Sequence, residues 1–362
     1  MNFIEKVFVV AEAYSYPLTQ RILNQLQLKP QIVSGTEEVR QEIAGEEDII
    51  KKGKKILVLD ISKAKFIKPC PCTPVYLGCG YLVINADLNC PLDCSYCILQ
   101  SYLDQPWLTV FVNQDQLAQE ISYWGHKRKG YFRIGTGELG DSLALDPLTQ
   151  RSRDLCQMFF SYPQAILELK TKTTSIDLIL KQKCLPNVVI AWSLNAEEIA
   201  HREEKGAPPV KDRLLAAKEV VKKGYRVAFH FDPLIWYRNW EEGYGQVVEF
   251  LMANIPAEKV AWISLGALRF PPQLKAIIKK RFPNSLCLTQ EFIRGLDGKY
   301  RIFRPLRVEM YRQVMNFFEA SKRYQKVKFY LCMESAEVWN EVMGEKKRSE
   351  RGICVFLSRP LN

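Results

Sequence analysis

The chain has 362 residues, 47% of them hydrophobic and 25% charged, enough to bury one large core and a smaller second one. Its formal net charge of +11 points to a polyanionic partner such as nucleic acid, although the basic residues are dispersed in short groups, the last being Lys346-Lys347-Arg348. An odd count of eleven cysteines argues against a secreted disulfide scaffold. With no signal-peptide pattern and no run near the ~20 apolar residues of a membrane span, a cytoplasmic protein with no membrane partner is expected.

Residues 1–76 read as a small N-terminal α/β lobe, with buried strands at Val7–Val10 and Ile56–Asp60 and a helical stretch at Tyr16–Leu28 between them. The segment PCPCTP, carrying Cys70 and Cys72, reads as a linker rather than a metal site. Residues 77–270 then alternate strand and helix. Strands are expected at Tyr81–Asp87, Tyr131–Gly135, Ile166–Lys170, Val188–Ser193, Val227–Phe231 and Val260–Leu265, with helices at Gln114–Trp124, Ser175–Gln182 and Val210–Lys223. Six such units imply a parallel sheet with right-handed crossovers, an open (β/α)6 partial TIM barrel whose chemistry sits at the carboxyl ends of the strands. Residues 271–362 form a C-terminal extension.

Three cysteines spaced C-x3-C-x2-C, Cys90, Cys94 and Cys97, follow the first strand of the barrel. Thiolates select zinc or iron–sulfur centres. Three in one tight loop can hold three irons of a [4Fe–4S] cube and leave the fourth iron for S-adenosylmethionine (SAM). A structural zinc knuckle is the alternative, but no second C-x2-C or H-x3-H pair follows at the required distance. At the second strand tip, Gly135-Thr136-Gly137-Glu138 offers close backbone approach and a carboxylate for the methionine ammonium. Lys172 at the third tip can pair with the cofactor carboxylate, and Ser193 and Asn195 at the fourth can bond ribose hydroxyls. Of His230 and Asp232 at the fifth, at most one is expected to point inward.

The cysteine spacing, with Tyr96 just before the third cysteine, resembles the radical SAM signature. Together with DSLALDPLT at 141–149, RNWEEGY at 238–244, DGKYRIFRPLR at 297–307 and FYLCME at 329–334, it is similar to the spore photoproduct lyase family of radical SAM enzymes. That resemblance implies a [4Fe–4S] enzyme that uses SAM and an electron donor such as a flavodoxin or ferredoxin, and that opens a methylene-bridged thymine dimer in DNA through a 5′-deoxyadenosyl radical. It departs from the family pattern at two positions. Glu138 stands where the family has the cysteine that returns hydrogen to the product, and Ile98 stands where it has a tyrosine. Cys332 is the candidate replacement donor, with Tyr96 as a further catalytic candidate. Lys299, Tyr300, Arg301 and Arg304 are the expected nucleic-acid contacts, since they combine cations with an aromatic ring near the segment where the family holds its lesion. Alternatives are a radical SAM enzyme acting on RNA, a peptide or a small molecule, and a non-catalytic nucleic-acid binder with a structural cluster.

Overall fold

The computed structural model describes residues 3–73 and 75–344, together with 353, 356 and 357; Lys346-Lys347-Arg348 and most of the end of the C-terminal extension lie outside them. Two sheets organise the chain. The first has Ile56–Asp60 at its centre, with Lys6–Val10 and then Gln31–Val33 parallel on one side, Leu108–Phe111 parallel on the other and Asp87–Leu88 antiparallel at that edge. Its inner strands Lys6–Val10 and Ile56–Asp60 are short apolar runs buried on both faces, as a parallel layer requires. The Pro17–Leu26 helix covers one face, started by a proline whose missing N–H costs nothing at the first turn. The expected boundary at residue 76 is not an edge of this layer. Trp107, Leu108 and Val110 complete its core, because the unpaired flank of Ile56–Asp60 needs another strand.

The second sheet is larger. Leu82–Ile84, Phe132–Thr136, Ala165–Thr171, Val188–Ser193, Arg226–Leu234, Val260–Ala267 and Phe329–Leu331 follow one another in parallel, and Ile67–Pro69 lies antiparallel beside the first. Helices including Gln114–Lys127, Arg151–Phe159, Val210–Lys222 and Trp240–Asn254 supply the crossovers. The fold is thus mixed α/β, and the two ends of the sheet meet: Leu77 N–H donates to Glu334 O at 3.0 Å, and Arg133 of the second strand stacks 5.0 Å from the ring of Tyr330 of the last.

The expected strand Tyr81–Asp87 is divided. Leu82–Ile84 joins the second sheet and Asp87–Leu88 the first, with Asn85 N–H donating to Phe66 O and Ala86 O accepting from Phe111 N–H between them. Hydropathy cannot show this crossing, since nothing in the local pattern marks where the chain passes from one sheet to the other. No described helix is long and apolar enough to cross a membrane.

Candidate active site

The cysteine loop leaves the divided strand and is fastened from several sides. Asn89 adopts a left-handed conformation at φ 69° and donates to Pro106 O at 2.7 Å. Buried Lys54, from the first sheet's side, donates to Cys90 O at 2.8 Å and Leu92 O at 2.7 Å. Arg281 forks onto Asp93, with bonds of 3.0 and 3.1 Å, while its Nε bonds Asp48. Asp93–Cys94 forms a short antiparallel pair with Glu204–Lys205. Lys54, Glu204 and Arg281 are not visible as a motif, because each lies 36 or more residues from the loop residue it holds.

Cys90, Cys94 and Cys97 share one cleft of about 140 Å³ with Tyr96, Glu138, Lys170, Lys172 and Ser193. Burial pushes the Cys90 thiol up to about 12 and Cys94 well above its usual range, so an incoming metal must displace protons to bind them. An all-thiol donor set on one loop, with no carboxylate or imidazole among the three, fits an iron–sulfur centre better than a hard cation.

The second strand tip is built around glycine. A Cβ on Gly135 would lie 2.2 Å from Glu168 O, and one on Gly137, at φ +96°, would lie 2.8 Å from Lys170 O. Beside them Thr136 Oγ1 donates to Ser142 Oγ at 2.6 Å. Glu138 projects into the cleft and is ion-paired with Lys170. Burial alone would lower the Lys170 ammonium, but the Glu138 and Glu168 carboxylates raise it. Asp141 joins the tips by accepting from Thr171 Oγ1 at 2.7 Å and Lys172 N–H at 2.8 Å. Sequence reading missed Asp141 and Lys54 as organising residues; the aspartate opening an Asp-x4-Asp run was the available signal for the former.

Tyr96 is buried and donates its hydroxyl to Glu204, which also pairs with Arg213 at 2.5 Å and Lys172 at 3.9 Å. Burial and the Glu204 carboxylate raise the Tyr96 phenol well above its usual value. Ser193 lines the cleft, but Asn195 does not. Its amide donates to Pro233 O at 3.2 Å and accepts from Tyr244 Oη at 2.6 Å, so the expected ribose contact is occupied by an internal network. Beyond Ser193 the chain stays paired with its neighbour, Leu194 N–H donating to His230 O at 2.9 Å.

Both His230 and Asp232 point inward, contrary to expectation. Residues two apart on a strand share a face, and Phe231 between them packs outward on Tyr244 and Phe318. His230 Nε2 lies 2.8 Å from Glu168 Oε1, which also accepts from Trp262 Nε1 at 3.0 Å. Burial alone would raise the Glu168 carboxyl, but His230, Arg133 and Lys170 hold it at about 2. Asp232 forks with Arg269, at 2.9 and 3.1 Å, and Arg269 reaches Cys332 Sγ at 3.4 Å. Burial and the Asp232 charge push the Cys332 thiol well above its usual value, so it keeps its hydrogen.

The basic segment at 299–304 is split between surface and interior. Ile293–Arg294 and Tyr300–Arg301 form a hairpin, with Leu296 82% exposed at its tip. Lys299 borders Asp297 at 3.5 Å, Tyr300 is half-buried, and Arg304 pairs with Glu341 on the surface. Arg301, expected as a nucleic-acid contact, is turned inward: it is 2% exposed, bonds Asp297 at 2.9 Å and Met333 O at 3.1 Å, and stacks 4.0 Å from Tyr76. Strand alternation sends it to the opposite face from Tyr300.

Comparison with known proteins agrees with this architecture. A family model described as spore photoproduct lyase matches residues 3–325. Spore photoproduct lyase of Bacillus subtilis (strain 168) is 26% identical over 307 residues, covering 82% of this chain and 87% of that protein. That of Geobacillus sp. (strain Y412MC61) is 25% identical over 312 residues, covering 83% and 89%. A solved structure of spore photoproduct lyase complexed with dinucleoside spore photoproduct superposes with a TM-score of 0.79 at 22% identity, covering 91% of this chain and 99% of that one. The chain belongs to the spore photoproduct lyase family of radical SAM enzymes.

Proposed function

We propose that this protein is a radical SAM enzyme that reverses a thymine-dimer-type lesion in DNA. The observation that carries the reading is the convergence of the three loop cysteines with Glu138, Lys170, Lys172 and Ser193 in one cleft at the strand tips. Cys90, Cys94 and Cys97 would hold a [4Fe–4S] cluster, and Gly137, Glu138, Lys172 and Ser193 the SAM beside it, with Gly135 and Thr136 supporting the tip from behind, on an open (β/α)6 barrel. Cluster and SAM together supply a 5′-deoxyadenosyl radical when bound. Glu138, already ion-paired with Lys170, would accept from the methionine ammonium. Tyr96 braces Lys172 through Glu204. Cys332 serves as hydrogen donor, because a protonated thiol has a weak enough bond to give its atom to a carbon radical.

Lys299, Tyr300 and Arg304 on the hairpin side meet the nucleic acid, with Leu296 as an apolar tip. A ferredoxin- or flavodoxin-type protein supplies the electron, in the cytoplasm. The test is incubation with SAM, dithionite and dinucleoside spore photoproduct. Restored adjacent thymines are expected. Release of 5′-deoxyadenosine with the lesion left intact overturns the substrate assignment. It would favour radical chemistry on another target, the reading to which Glu138 and Ile98, in place of the family's cysteine and tyrosine, already lend weight.

A further inference from the structure

Where the two ends of the large sheet meet, two thiols outside the cluster loop face the barrel interior. Cys332 follows the last strand, and its N–H still donates to Leu265 O at 2.8 Å, which continues the ladder. Strand alternation therefore turns Tyr330 and Cys332 to the same face, roughly 7 Å apart along the strand. Arg133 reaches that face from the second strand: its guanidinium lies 5.0 Å from the Tyr330 ring, and its Nη2 donates to Cys79 Sγ at 3.0 Å. One cation thus touches both Tyr330 and Cys79 and sets Cys79 on the side of the seam that Tyr330 and Cys332 face.

The arrangement is built rather than incidental. Arg133 is 1% exposed, its Nε and Nη1 lack hydrogen-bond partners, and Tyr81 and Trp262 enclose it at 5.2 and 4.9 Å. An enclosed guanidinium costs free energy unless the groups around it compensate, and here these are the Cys79 sulfur, the Tyr330 phenol and the Glu168 carboxylate. Arg269 stands in the same relation to Cys332, at 3.4 Å, and is itself held by Asp232. Backbone closure between Leu77 and Glu334 at 3.0 Å keeps the two thiol-bearing segments together.

We propose that Cys79 and Cys332 are a dithiol pair that completes hydrogen return in place of the cysteine this chain lacks, with Arg133 as the positioning residue for Cys79. The proposal rests on the lesion-opening function above. A hydrogen atom passes from Cys332 Sγ to the product carbon radical, so that an S–H bond breaks, a C–H bond forms and a sulfur radical remains. The Cys79 sulfur then bonds to it: the Cys79 proton leaves to solvent, and the surplus electron passes to the oxidised form of the one-electron carrier. An external dithiol resets the resulting disulfide by exchange, with two electrons and two protons.

Two measurements on the holoenzyme test this, one independent of substrate. Titration with diamide, quenching with an alkylating reagent and peptide mass mapping should find a Cys79–Cys332 disulfide formed ahead of any other pairing. Failure of these two sulfurs to join while other thiols oxidise overturns the pair, whatever the enzyme acts on. In a single turnover on dinucleoside spore photoproduct without added dithiol, one Cys79–Cys332 disulfide should appear per product, and Cys79→Ser should fall below one product per enzyme while still releasing 5′-deoxyadenosine. Product formed with both thiols still alkylatable overturns the proposal but leaves the lesion-opening reading intact; no product at all with the disulfide still formed by diamide sinks that reading alone.

Discussion

The cluster cleft sits at the carboxyl ends of the strands and the seam where the two ends of the sheet meet, and they are assembled in opposite ways. The cleft takes Cys90, Cys94, Cys97, Glu138, Lys170 and Lys172 from a loop and two neighbouring strand tips. The seam takes Cys79, Arg133, Asp232, Arg269 and Cys332 from segments spread over more than 250 residues of chain, and holds them by buried charge. A cofactor that brings its own reactivity needs a few ligands at fixed spacing, whereas a substrate side is free to be rebuilt from whatever residues the closed sheet brings together.

The contrast can be broken most completely at the loop. Cys94→Ala should abolish incorporation of the roughly four irons of one cluster, with Cys70→Ala retaining them; iron and sulfide analysis after anaerobic reconstitution reads the outcome. Iron loss in the Cys70 variant would join the two regions into one metal site.

Next in size is the buried charge of the barrel. The Glu168 carboxyl sits at about 2 against an ordinary 4.5, so its ionised form stabilises the fold above pH 4.5, and that contribution fades as pH falls toward 2. The difference amounts to about 3 kcal/mol at neutral pH. Glu168→Gln should therefore lower the urea midpoint at pH 7, and its deficit relative to the parent should shrink on acidification to pH 3. A deficit that stays constant with pH would place the cost in packing, not charge.

Glu138→Ala should weaken SAM binding by the roughly 1.5–3 kcal/mol of a charge-assisted bond, read by equilibrium dialysis with the cluster loaded. Unchanged affinity would mean that Glu138 serves only Lys170. The smallest effect is expected at the hairpin. Neutralising Lys299 and Arg304 together should reduce the slope of log affinity for DNA against log salt by about 0.9 for each phosphate that no longer meets a cation. Arg301→Ala should instead lower thermal stability, since it strips Asp297 of a buried partner. An Arg301 variant that is stable but loses DNA binding would return that residue to the interface.

How much was legible follows the same division. The strands and the cysteine loop could be read because periodicity and close spacing are local signals. The splitting of Tyr81–Asp87 between two sheets, the inward turn of Arg301 and the enclosure of Asn195 could not, because each depends on a partner far along the chain. Alternation had foretold the shared face of His230 and Asp232, and the expectation of opposite faces misapplied it. Asp141 stood within a recognised string, but its work of joining two strand tips appears only once the tips are adjacent.

The divided strand has a further consequence. Its halves belong to different layers, Lys54 reaches from one side to cap the loop carbonyls, and Arg281 binds Asp48 and Asp93 together. The cysteine loop is thus a keystone, tied by Lys54 and Arg281 so that loosening it disturbs both layers. Loading iron and unfolding the N-terminal layer are then thermodynamically linked, and each equivalent of cluster bound should raise the melting temperature of a sheet that contributes none of its ligands.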